Sequence, residues 1–152
     1  MSSMNQVNEI DLPEIHLVGL CITSPFNSHR PDRIEAMKNE FLRRKGEIQH
    51  VLHPERYVSP HFSSEILFTY FVCMEVARLS DIPEGMLGFT IPPHRYAAVQ
   101  SPDDPYRVIH DYLQATSKHN HDKALALEIY RFDKSVWPDE AEVYIPLREA
   151  AQ

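Results

Sequence analysis

The chain is poor in cysteine, glycine and tryptophan, with two, four and one respectively among 152 residues. Two cysteines cannot build a disulfide framework. Cys21 and Cys73 each fall in an apolar, strand-like run, which predicts buried free thiols in a reducing compartment. Four glycines leave no Gly-rich phosphate loop, so no nucleotide cofactor is expected. No run is apolar for long enough to span a membrane, and no N-terminal stretch joins basic residues to an apolar run as a secretory signal does. The expectation is a soluble cytoplasmic protein without a membrane partner. Positive charge is also scarce: 15 Lys and Arg face 22 Asp and Glu, for a net charge of -7. That disfavours a phosphate backbone, and with no zinc-finger spacing or helix-turn-helix segment, direct nucleic-acid binding is not expected. No G-x-S-x-G elbow or Cys/His nucleophile pattern is visible.

Apolar residues make up 43% of the chain, enough at this length for one domain with its own core. Residues 1–12 are polar and read as a flexible tail, leaving a single domain over 13–149. Glu14 to Thr23 reads as a strand. Pro31 opens a helix, with Asp32 and Glu35 in its first turn and Ile34, Met37, Phe41 and Ile48 near one face. His50 to Glu65 reads as irregular, broken by Pro54 and Pro60, with a short strand at Tyr57. Ile66 to Leu79 is the most apolar segment and favours a strand over a buried helix. Met86 to Ile91 and Arg95 to Gln100 read as strands split by Pro92-Pro93. Asp104-Pro105 caps a second helix that carries Tyr106, Ile109, Tyr112, Leu113 and Thr116 on one face. Leu125 to Asp133 and Ala141 to Leu147 are closing strands.

The order strand, helix, strands occurs twice, over about 14–83 and 84–148. This predicts an α+β fold of duplicated β-α-β-β units. The expected result is a pseudo-twofold antiparallel sheet with two helices flanking a ligand cleft.

The segment Leu125–Asp133 (LALEIYRFD) poses a physical problem. Leu125, Leu127 and Ile129 share one face, and Ala126, Glu128, Tyr130 and Phe132 the other. Glu128 is thus set among apolar and aromatic neighbours. It is a solvated acid on an uncovered face, half of a buried ion pair, or the charge in an apolar cleft. Glu75, in CMEV, is the rival strand acid.

Several segments in order carry a resemblance: IEAMKNEFLRRKGEI, FTYFVCMEV followed by IPEGMLGFTIPPHRYAAV, then LALEIYRFD and EVYIPL. Together they resemble the AraC-type effector-binding domain, or gyrase-inhibitor-like (GyrI-like) small-molecule-binding family, from about Ile15 to Leu147. That resemblance implies the duplicated unit and an apolar cleft for lipophilic, often cationic, small molecules. It also implies a glutamate near the penultimate strand, which by position is Glu128. Members fused to DNA-binding domains serve transcription regulation; this chain resembles the stand-alone bacterial members. Some of those inhibit DNA gyrase or hydrolyse strained cyclopropane-containing compounds. Cys73 stands where many members have glycine, and Leu113 to Ser117 lacks the tryptophan and proline often found there.

The candidate ligand-binding set is therefore Glu128, with Tyr130, Tyr70, Phe71, Met74 and Tyr112 as aromatic and apolar walls for a flat cation. Taken singly, each wall residue fits plain core better than a cleft wall. Trp137, in a loop, is a candidate lid. In a hydrolase, Glu128 would be the general base and Tyr130 or Tyr70 an oxyanion donor. A gyrase-like protein partner rests on the resemblance alone. Neither the His50/His53 pair nor the His119/His121 pair has a zinc arrangement, so no metal or other cofactor is expected.

Overall fold

The computed structural model describes residues 6–25, 31–64, 66–133 and 141–148. The first five elements are β1 (Asn8–Leu12), β2 (Ile15–Pro25), α1 (Pro31–Arg44), β3 (Arg56–Ser63) and β4 (Leu67–Val76). The next five are β5 (Leu87–Ile91), β6 (His94–Val99), α2 (Pro105–Thr116), β7 (Ala126–Arg131) and β8 (Glu142–Pro146). The fold is α+β, as expected. The eight strands form one antiparallel sheet in the order β1-β6-β8-β7-β3-β4-β2-β5.

That order is a palindrome of two repeats. Exchanging β1-β2-α1-β3-β4 with β5-β6-α2-β7-β8 leaves it unchanged, which puts the pseudo-twofold between β3 and β7. Each repeat sends its first strand across to the other: β1 pairs with β6, and β5 with β2. The first half therefore begins one strand earlier than residue 14, at β1, whereas the second, from residue 84, already opens with β5.

Part of the expected loose tail is consequently structured. Asn8–Leu12 runs antiparallel to β6, with Glu9 bound to Arg95 and Lys118 and Asp11 to Arg95 at 2.8 Å. A five-residue strand is too short to show periodicity, and its partners lie far along the chain. The segment 50–65 holds a second correction, because β3 is a full eight-residue strand at the centre of the sheet. Pro60 is only a one-sided breaker. The β3–β4 register skips Ser59 and Pro60, while the register with β7 runs unbroken through them. A proline removes one donor, and only the strand that needed it loses a bond. Ile66–Leu79 yields a strand, β4, and not a helix.

The sheet must curl. β5 and β6 lie six steps apart in the strand order yet are joined by Pro92 and Pro93 alone. Laid flat, six steps would span about 29 Å at about 4.8 Å each, and the short link reaches only about 10 Å. Curling gives the sheet two unlike faces. Inside the curl, Leu17, Val58, Cys73, Ile91, Tyr96, Leu127 and Ile129 form one core cluster. On the other face α1 and α2 lay Met37, Phe41, Val108, Ile109 and Leu113 against Tyr57, Tyr70, Val72, Tyr130 and Val143. Strand alternation at β7 divides its side chains between them as the sequence indicates. The bend also explains Gly19: a β-carbon there would strike the Val72 carbonyl oxygen and approach the Cys73 Cα to 2.7 Å.

One thiol departs from expectation. Cys73 is buried, but Cys21 is exposed: it shares the face of Ile15 and Leu17 yet lies farther along β2, past the end of their cluster. Trp137 lies outside the described residues.

Candidate functional site

Glu128 is 9% exposed, on the helix-covered face of β7. Two hydroxyls hold its carboxylate. Tyr130, two residues along the same strand, donates to Oε1 at 2.8 Å, and Tyr106 donates to Oε2. Tyr106 is delivered by the start of α2. The Asp104 carboxylate caps the helix by accepting from the Tyr106 amide at 3.0 Å, and Pro105 fixes the first helical residue. The Tyr106 oxygen also lies 3.1 Å from His61 Nε2, on β3. Tyrosine has one hydroxyl proton. With that proton directed to the carboxylate, Nε2 of His61 is the donor in the second bond.

Aromatic rings enclose this group of four side chains. The β3–β7 register sets Tyr57 opposite Tyr130, and their rings stack at 5.3 Å. Phe132 packs on Tyr57 at 5.0 Å, and Phe41 of α1 approaches it at 6.2 Å. On the other flank His61 meets Tyr70 at 6.3 Å and Phe68 at 6.2 Å. The Lys38 ammonium of α1 lies over the rings of both Tyr70 and Tyr130. Beside this bed is a cavity of about 290 Å³ between α1 and the sheet, lined in part by Glu35, Lys38, Phe41, Tyr57 and Phe132.

The environment fixes the protonation of the walls. Burial first, and the Glu128 charge second, push the hydroxyls of Tyr70, Tyr106 and Tyr130 far up, and that of Tyr57 to about 12. Burial lowers the His61 pKa, against a smaller opposing pull from Glu128. Near neutral pH the tyrosines are therefore uncharged donors and the imidazole is uncharged.

The structure brings Glu128, Tyr130 and Tyr70 together. Met74 is buried on the same face of β4 as Tyr70. Phe71 is on the opposite face, packed on Phe89 at 5.0 Å. Tyr112 turns its hydroxyl to Glu9 of β1 at 2.6 Å, helping to anchor the crossing strand. Glu75 shares the face of Phe71 and is an ion-pair partner of Arg56 at 3.5 Å and of His53 at 3.8 Å. Among the described residues no cluster of three or more metal-ligating side chains occurs. Sequence reasoning did not nominate Tyr57, His61, Phe68, Tyr106 or Phe132. Tyr106 carried a usable signal, a tyrosine in the first turn after Asp-Pro on the apolar helical face. Tyr57 was legible only as part of a short strand, and His61 carried no signal, because Pro60 hid the rest of β3.

Residues 10–147 match the sequence profile of Cass2, described as an integron-associated effector binding protein. Among the solved structures that share the fold are three of similar length. SAV2435 bound to tetraphenylphosphonium aligns with TM-score 0.71 and 12% identity over 94% of each chain. The EcmrR C-terminal domain aligns with TM-score 0.69 and 13% identity over 95% of this chain and 98% of that one. The Vibrio cholerae integron cassette protein VCH_CASS2 aligns with TM-score 0.65 and 11% identity, over 94% and 96%. No curated protein matches the sequence.

Proposed function

The chain belongs to the integron-associated effector-binding family, a GyrI-like group, and from that premise we propose that its effector is a lipophilic cation bound against Glu128. The observation that carries this reading is the pairing of Glu128. A buried carboxylate kept for the fold alone is ordinarily matched by Arg or Lys. Here both groups that bond it are neutral hydroxyls, and among the described residues no Arg or Lys forms an ion pair with it. A carboxylate without an ion-pair partner, walled by aromatic faces, attracts a cation twice, by charge and by the ring quadrupoles. Tetraphenylphosphonium, the ligand in the structure of SAV2435, is a cation of that kind. The adjoining cavity between α1 and the sheet, lined by Tyr57 and Phe132 but not by Glu128 itself, is about 290 Å³, just under the range of about 300–1,000 Å³ usual for such ligands.

In this reading Glu128 supplies the counter-charge, Tyr106 and Tyr130 fix its orientation, and Tyr57, Tyr70 and Phe132 supply stacking area. Isothermal titration of tetraphenylphosphonium into wild type and Glu128→Gln tests it. A full charge about 6 Å from the cation, at an effective dielectric of about 20, contributes about 3 kcal/mol, or roughly a 100-fold change in Kd. Triphenylphosphine oxide, neutral and of similar shape, should change by less than about threefold. Equal cation affinity in the two proteins would remove Glu128 from the site.

A further inference from the structure

Lys38 is half-buried on α1, on the side turned toward the sheet. Its ammonium is 5.5 Å from the Tyr70 ring centroid and 5.9 Å from that of Tyr130. The hydroxyl of that same Tyr130 donates to Glu128. The Lys38 side chain also lines the cavity that Tyr57 and Phe132 share. Among the described residues Lys38 forms no ion pair; its ammonium lies over these two rings, with Glu35 on the lining of the same cavity. A helix-surface lysine ordinarily extends its head into water. This one turns inward, onto the ring faces that a bound cation would use.

We propose that Lys38 is a tethered competitor: its ammonium holds the cation position in the unliganded protein and must swing out before an effector cation can reach Glu128. The inference rests on the cation-binding reading above and adds the device that sets its selectivity. A tethered group competes at a high effective concentration, so a small, strongly hydrated ammonium gains little by replacing it. A large, delocalised cation gains more, because it covers aromatic surface that the narrow lysine head leaves open. Charge alone is then insufficient for entry, and charge combined with apolar area is required.

The test uses Lys38→Met, which keeps an unbranched apolar stem and removes the ammonium, beside Lys38→Arg, which keeps the charge. Titration with tetraphenylphosphonium should show Kd about tenfold tighter in Lys38→Met, equivalent to about 1.4 kcal/mol, and within about twofold of wild type in Lys38→Arg. Tetramethylammonium should bind Lys38→Met measurably and wild type not. Triphenylphosphine oxide should be nearly indifferent to either change. If wild type binds tetraphenylphosphonium and Lys38→Met binds it no more tightly, the competitor role is wrong and the cation site stands. If the phosphine oxide gains as much as the phosphonium, Lys38 only blocks space and charge competition is refuted. If neither protein binds the cation, both readings fall. Binding by Lys38→Met alone would support both, with the lysine dominant.

Discussion

Replacing Tyr106 by Phe removes one oxygen from the centre of the site and little else. The phenyl ring keeps its volume, so no cavity contribution arises. Two bonds are lost. The first is the charge-assisted bond to Glu128, in a class that contributes about 1.5–3 kcal/mol. The second is the contact with His61, whose buried Nε2–H is left without that acceptor at about 1–3 kcal/mol, lessened if the imidazole changes tautomer. The expected destabilisation is about 3 kcal/mol, or a fall in Tm of roughly 6–12 °C for a chain of this length. Tyr130→Phe loses only its bond to Glu128 and should cost about 2 kcal/mol, so the two variants are ordered. The assay is equilibrium urea unfolding followed by circular dichroism, with the slope m checked for constancy. A double-mutant cycle isolates the charge. In a Glu128→Gln background the Tyr106→Phe penalty should fall by about 1.5 kcal/mol, because a neutral bond replaces a charge-assisted one. A coupling below about 0.5 kcal/mol, or a larger penalty for Tyr130→Phe, would refute the assignment of Tyr106 as principal holder of the carboxylate.

Other expectations concern the frame around the site. Gly19→Ala forces β2 away from the Val72 carbonyl and should destabilise the fold by at least about 2 kcal/mol in the same urea assay, although alanine is only one methyl larger. Glu9, bonded to Lys118, Tyr112 and Arg95, has its pKa held down at about 2. A depressed carboxylate contributes stability that is complete above its unfolded value, near 4.5, and is lost as pH falls toward about 2. Solvent around Arg95 and Lys118, 50% and 42% exposed, screens these bonds, so Glu9→Gln should remove about 1 kcal/mol at pH 7 and flatten that acid limb. With a thiol reagent, one cysteine should react quickly in the native protein and both in denaturant. Cys21 is exposed, whereas Cys73 is buried with its pKa pushed well up. Rapid reaction of both in the native state would contradict the packing of β4.

The sequence by itself determined the local chemistry of the chain. The alternation in LALEIYRFD placed Glu128 on a face with Tyr130 and Phe132, and Asp104-Pro105 fixed where α2 begins, so Tyr106 is positioned by local rules. The repeated strand–helix–strand order announced the duplication. These signals are short-range: side-chain period, capping and backbone donors act within a few residues of one another. What the sequence could not express is which strand lies beside which. Only the tertiary structure decided that β1 and β5 exchange between repeats, that Pro60 interrupts one ladder and leaves the other whole, and that the sheet curls. The site depends on those decisions. Tyr57 reaches Tyr130 through register, His61 reaches Tyr106 across 45 positions, and the pleat puts Phe71 on the face opposite Tyr70. A residue's face is written in its near neighbours, whereas the identity of what it faces is fixed by long-range pairing and by the closure of two repeats on one core.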